Sequence, residues 1–122
     1  MQEHEIHLKI AQDDLLAAKA LLKISLSTTA VFHVQQCFEK SLKGYLAFCK
    51  QKSMKTHDLE FLVKECCKLD LEFARFIRSA RELKPFVTRG RYADDYMEIE
   101  EALVAMFLEQ AEMLLRFVQK KC

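Results

Sequence analysis

Apolar residues recur along this chain at three- and four-residue steps, the spacing that puts side chains on one side of a helix. Between Glu3 and Lys23 two such lines run together. One holds Ile6, Ile10, Ala17, Ala20, Leu21 and Ile24, the other Leu8, Ala11, Leu15, Ala18 and Leu22. They cover much of a helix's circumference, and the alanines let a neighbour approach closely. Asp13 and Asp14 interrupt the pattern and read as surface. Ser25–Thr29 is a break whose hydroxyls can accept hydrogen bonds from the amides that open the next helix. From Thr29 to Phe48 a stripe of Val31, Val34, Phe38, Leu42, Tyr45 and Cys49 is widened by Ala30, Cys37 and Leu46. A stripe so broad predicts contact with more than one other helix. Gly44 costs about 1 kcal/mol relative to Ala inside a helix, which points to close helix–helix contact at that position, a solvent-exposed glycine being the alternative.

The second half is built from shorter pieces. Gln51–Lys55 reads as a loop, and Thr56 as the N-cap of a helix from His57 to about Leu69, with Asp58 and Glu60 set against its positive end. Asp70 then caps a fourth helix through about Leu83, with Leu71, Phe73, Ala74, Phe76, Ile77 and Ala80 turned inward. Pro85 stops it. The irregular stretch up to Tyr96 is long for a compact domain, and loops of that kind tend to be functional. Asp95 and Glu98 have capping-box spacing. They predict a last helix that sends Ile99, Leu103, Met106, Phe107, Ala111, Leu114 and Val118 to the core. With two Gly and one Pro in 122 residues, there is little material for the tight turns of a sheet. The expected fold is all-α, an up-down antiparallel bundle of four to five helices, with residues 1–122 forming a single domain of ordinary size.

Composition narrows the classes. Hydrophobic residues make up 51% and charged ones 30% of the chain, a globular balance. No apolar run approaches membrane-spanning length and the first residues lack a signal-peptide pattern, so a soluble, cytoplasmic protein is expected. The formal net charge is +1, too little for a field that gathers nucleic acid over the whole surface. Five Cys without Cys-x-x-Cys spacing argue against a disulfide scaffold or zinc ribbon. Cys37 and Cys49 read as small hydrophobes. His4 and His7 have a spacing that could hold a metal but no third ligand beside them, so they read as solvated and no metal is expected. A Gly-rich phosphate loop, a His-Glu-x-x-His helix and a Gly-x-Ser-x-Gly elbow are all absent, and no cofactor is implied.

Two features carry candidate chemistry. His33, Gln36, Lys40 and Lys43 align on a second face of the Thr29–Phe48 helix. They form either a solvated face or a trough where amide, imidazole and ammonium groups converge on a phosphate or a partner. Charge is also segregated. Arg75, Arg78, Arg81, Lys84, Arg89 and Arg91 share their span with Glu82 alone, whereas Asp94 to Glu112 holds seven acids and no base. This is either neutralisation between neighbouring helices or a basic rim, with guanidinium forks for phosphate oxygens and Tyr92 to stack on a base.

The run Ala30-Val31-Phe32-His33-Val34-Gln35-Gln36-Cys37-Phe38-Glu39-Lys40-Ser41-Leu42-Lys43 resembles the central helix of the HEPN family (higher eukaryotes and prokaryotes nucleotide-binding domain). Thr56-His57-Asp58-Leu59 and Arg91-Tyr92-Ala93-Asp94 fit the same family in the same order. The resemblance implies a helical bundle, usually a homodimer, with a groove for a nucleotide, RNA or another polyanion. It also implies action beside a minimal nucleotidyltransferase, in a toxin–antitoxin-like pairing. On that basis Lys40, Lys43, Arg89, Arg91 and Tyr92 are candidate phosphate or base contacts, and His33, Gln36, His57 and Asp58 are candidate polar supports. Ribonucleases of the family place an Arg five to seven positions before a His, so that imidazole moves the proton and guanidinium holds the phosphate. Here His4, His7, His33 and His57 all precede the first arginine, Arg75, and no such pair can be drawn. The expectation is a non-catalytic binder of a nucleotide or polyanion. The alternatives are a protein–protein interaction module without a small ligand, or a divergent metal-independent ribonuclease using His57 as base.

Overall fold

The computed structural model describes residues 1–86 and 92–122. Arg89 and Arg91 lie outside the described residues, which form helices and connections without a strand. Helix α1 (Glu3–Lys23) turns back into α2 (Ser27–Phe48), and the two pack along their lengths. After a loop comes α3 (Leu59–Cys67), then a 3₁₀ turn (Leu71–Phe76) leading into α4 (Ile77–Leu83). A 3₁₀ turn at Ala93–Asp95 precedes α5 (Glu101–Lys121). Contacts of Lys19 with Glu112 and of Gln12 with Arg116 run in opposite order along the two helices, so α5 is antiparallel to α1. Helix α2 is central, touching α1, α3 and α5.

The core follows from that placement. Every α2 stripe position from Ala30 to Leu46 is buried, and Cys49 is half-buried. On α1 the line through Ala11, Leu15 and Ala18 is buried, while Ile6, Ile10 and Ile24 of the other line are exposed. Gly44 stands where the sequence places a close approach: a Cβ there would lie 2.9 Å from Leu8 Cδ2 and 3.4 Å from His7 Cβ.

Helices α1 and α2 end in the same way. The amide of Leu26 donates to Leu21 O and that of Ser25 to Leu22 O, with Ser25 at φ 62°. Gln51 donates to Leu46 O and Lys50 to Ala47 O, with Lys50 at φ 61°. These are Schellman closures with a left-handed residue just past the helix, here not glycine.

Several local expectations need correction. The N-cap of α2 is Leu26, without a side-chain cap bond. The hydroxyl of Thr28 instead accepts the amide of Ile99, and this fixes residues ahead of α5 in extended backbone. The last helix accordingly starts at Glu101 and not at Asp95. Asp58, not Thr56, caps α3, accepting from the Phe61 amide, while Thr56 Oγ1 accepts from the Asp58 amide. Leu71 and Ala74 face outward, Leu71 being 80% exposed. In a 3₁₀ turn residues three apart eclipse, so buried Phe73 and Phe76 share one side and Leu71 and Ala74 another. Met106 is exposed too, because the buried arc of α5 runs through Val104, Phe107, Ala111, Leu114, Leu115 and Val118.

Candidate functional site

The polar face of α2 is organised by a residue that alignment of polar positions passes over. Glu39 is 1% exposed. Burying a carboxylate among apolar groups is costly unless it is paired and hydrogen-bonded, and Glu39 is surrounded by donors. Gln35 Nε2 donates to Oε1 at 3.2 Å and Lys43 Nζ to Oε2 at 3.0 Å, each one helical turn away. His57 Nδ1 lies 3.0 Å from Oε1, reaching in from the segment ahead of α3. Lys40 Nζ stands 4.0 Å from Oε2. Lys43 is largely enclosed, whereas Lys40 is partly open to solvent and the His57 side chain is 73% exposed. The imidazole thus forms part of the surface above the buried acid.

His7 of α1 borders the same region. Its Nδ1 is buried without a hydrogen-bond partner among the described residues. Burial first, then the charge of Lys40, holds its pKa below the ordinary histidine value, so the ring is neutral at pH 7. Reading His7 as solvated therefore does not hold. Beside it Glu3, Lys43, Gln51 and Ser53 border a cavity of about 20 Å³, room for roughly one water molecule.

The other candidate positions fall in different places. His33 Nδ1 is 2.9 Å from Asp14 Oδ1, so Asp14 is a half-buried partner and not simple surface. Gln36 is half-buried on the same face. Asp58 is the cap of α3. Tyr92 is exposed. Lys40, Lys43 and His57 are brought together, and His33 forms a separate pair with α1. The misses are Glu39, Gln35, Asp14 and His7. A usable signal existed: Gln35, Glu39, Leu42 and Leu46 form one helical line whose second half is plainly apolar, so an acid in that line must be buried and paired.

Among the described residues, no ion pair joins the basic run from Arg75 to Lys84 to the acids after Asp94. Arg78 pairs with Glu82 at 2.8 Å and Arg81 with Glu60 of α3 at 2.8 Å. Glu112, from the acidic run, takes Lys19 of α1 at 3.0 Å and Arg116 at 3.4 Å. The cysteines are all free. Burial pushes the Cys37 thiol up to about 12, so it is a packing residue and not a nucleophile. No group of His, Cys, Asp and Glu among the described residues is arranged to hold a metal ion. No helix among them is long and apolar enough to cross a membrane.

Known proteins share this fold. The HEPN domain model matches residues 4–121. The crystal structure of ST0689, an archaeal HEPN homologue, is 27% identical, with a TM-score of 0.78 over 99% of this chain and 98% of that one. The crystal structure of TT1696 from Thermus thermophilus is 23% identical and superposes with a TM-score of 0.80 over 100% of both chains, a likeness of fold. No curated protein matches the chain.

Proposed function

This chain belongs to the HEPN domain family, and from that premise we propose that it is a non-catalytic member that binds a nucleotide or another polyanion. The observation that carries the reading is the gathering of Lys40, Lys43 and His57 around the single carboxylate of Glu39. Two ammonium groups face one acid, so the trough keeps positive charge, and its most accessible ammonium is Lys40. Phosphate contact falls first to Lys40, with Lys43 behind it. Arg89, Arg91 and Tyr92 complete the proposed set. Absence of catalysis is supported by the order of residues: every histidine precedes every arginine. Family resemblance supplies the proposed partner, a minimal nucleotidyltransferase.

Thermal melting with about 1 mM nucleotide tests the reading. A dissociation constant near 100 µM gives about 1.4 kcal/mol of linkage stabilisation, and Lys40→Ala should reduce the rise. No rise with any nucleotide or RNA overturns it.

A second reading is an interaction module without a small ligand; the homodimer, which the family resemblance implies for either reading, draws support from α1. Ile6 and Ile10 are exposed apolar residues on that helix, and Ile24 is exposed at its end; light scattering at micromolar concentration tests the homodimer. A stable monomer refutes the homodimer.

A further inference from the structure

Positive charge is concentrated a second time on the outer face of α5, at residues that take no part in the α2 cluster. An open groove of about 670 Å³ runs between the Leu71–Phe76 turn and α5. Its lining includes Arg75, Arg116, Lys120 and Lys121 against Glu72 and Glu112, an excess of two positive charges (four minus two). The volume is that of a small-molecule site, unlike the water-sized cavity beside Lys43.

The four cations are held differently. Arg116 is fixed by Gln12 and Gln119 at 3.0 and 2.8 Å. Lys121 Nζ is 2.6 Å from Asp70 Oδ2 and 4.7 Å from the centroid of the Phe117 ring. Arg75 has no carboxylate within ion-pair distance among the described residues. Its guanidinium lies 4.9 Å from the ring centroids of both Phe76 and Phe117. Contact with the two rings holds the guanidinium at the groove, and no hydrogen bond to another described residue occupies its N–H groups, which can meet a phosphate through two parallel hydrogen bonds. Lys120, also without an ion-pair partner among the described residues, is exposed at the same groove. Two positioned cations thus stand beside two uncommitted ones, with the apolar side chains of Met113 and Phe117 in the same lining.

We propose that this groove is a separate seat for a small ligand carrying linked phosphates, a nucleoside di- or triphosphate, with Arg75 and Lys120 taking the phosphates. The base would lie against Met113, the exposed apolar side chain of the lining, since the Phe117 ring is already covered by Arg75 and Lys121. The ligand class rests on the reading above; the location does not.

Amide and arginine side-chain NMR of the full chain, titrated separately with ATP, inorganic tripolyphosphate and adenosine, decides the matter. ATP and tripolyphosphate should move the Arg75 Nε–H and the amides of Lys120 and Lys121, with adenosine weaker. An Arg75→Gln, Lys120→Gln variant should lose about tenfold or more in affinity at the groove, and Lys40→Ala should leave groove binding unchanged. Because Arg75 packs on two rings, the solvent-facing Lys120→Glu serves as a second variant that keeps the fold, and it too should weaken binding. Tripolyphosphate matching ATP would reduce the ligand to the phosphate chain and overturn the part given to the base. Shifts confined to the α2 face, or equal affinity in the groove variants, overturn the groove and leave the α2 reading standing. Shifts confined to the groove uphold this proposal and remove the α2 trough as the phosphate site. Absence of shifts with all three ligands overturns both.

Discussion

Glu39 and His57 meet at 3.0 Å although one is 1% exposed and the other is mostly in solvent. This contact ties the segment ahead of α3 to the middle of α2, and with Lys43 and Gln35 it satisfies an acid enclosed by the bundle. Glu39→Ala leaves Lys43 enclosed without its carboxylate and Gln35 buried without its acceptor. The expected loss is about 3–5 kcal/mol, the usual cost of removing one partner from a buried pair. His57→Ala removes an exposed donor and should cost about 1 kcal/mol. Urea denaturation of the two variants checks the order; equal losses would mean that Glu39 is not the centre of the cluster.

Gly44 sets how closely α1 approaches α2. Replacing it by Ala gains about 1 kcal/mol of helix propensity. The new Cβ would meet Leu8 at 2.9 Å from Cδ2 and 3.2 Å from Cγ, and Leu8 is half-buried and must turn aside. The two effects oppose each other, so Gly44→Ala should fall within about 1 kcal/mol of the parent, whereas branched Gly44→Val should cost about 1–3 kcal/mol. Adding Leu8→Ala should make Gly44→Ala more favourable than it is alone. A double-mutant cycle reads that coupling directly, and strict additivity would contradict the contact.

The fold was readable where burial is one-sided and the period is regular. The α2 stripe from Val31 to Tyr45 is buried as its spacing requires, and five helices without a strand among the described residues follow from the same pattern. Spacing could not tell which of the two α1 lines faces the bundle, because both have the same period and only the partner surface chooses between them. It failed at Leu71 because a 3₁₀ turn has another period, and at Asp95 because Thr28, far away in sequence, takes the amide of Ile99. The candidate site was half legible. Lys40, Lys43 and His57 do converge, but on an acid whose importance comes from burial, and burial is a tertiary property. The groove on α5 brings together residues from Glu72 to Lys121, a combination that no local pattern displays.

Ser25 and Lys50 adopt φ of 62° and 61° just past the ends of α1 and α2. Side chains there crowd the backbone, and glycine escapes the penalty while losing more entropy on folding. Balanced against each other, Lys50→Gly and Ser25→Gly should each stabilise by about 0.5–1 kcal/mol. The two sites lie at the ends of different helices and should add. Thermal melting of the single and double variants checks this; a loss at both would show that the side chains contribute more than the backbone strain removes.

Glu60 joins α3 to α4 through Arg81 at 2.8 Å and meets Lys64 at 3.0 Å on its own helix. The Arg81 hydrogen bond first, then that of Lys64, holds its carboxyl at about 2, well below the ordinary 4.5. A pKa lower in the folded than in the unfolded chain means that the contribution to stability is complete above about 4.5. It is lost as pH falls from there toward about 2, because the unfolded chain takes up the proton first. Arg81→Ala should bring the Glu60 midpoint up toward 4.5 while Lys64 keeps it somewhat below. The variant should therefore lose less stability than the parent between about pH 5 and pH 2. Carboxyl-carbon NMR titration gives the midpoint, and urea unfolding at both ends of that window gives the stability. A Glu60 midpoint unchanged by Arg81→Ala would show that the α3–α4 pair does not persist in solution.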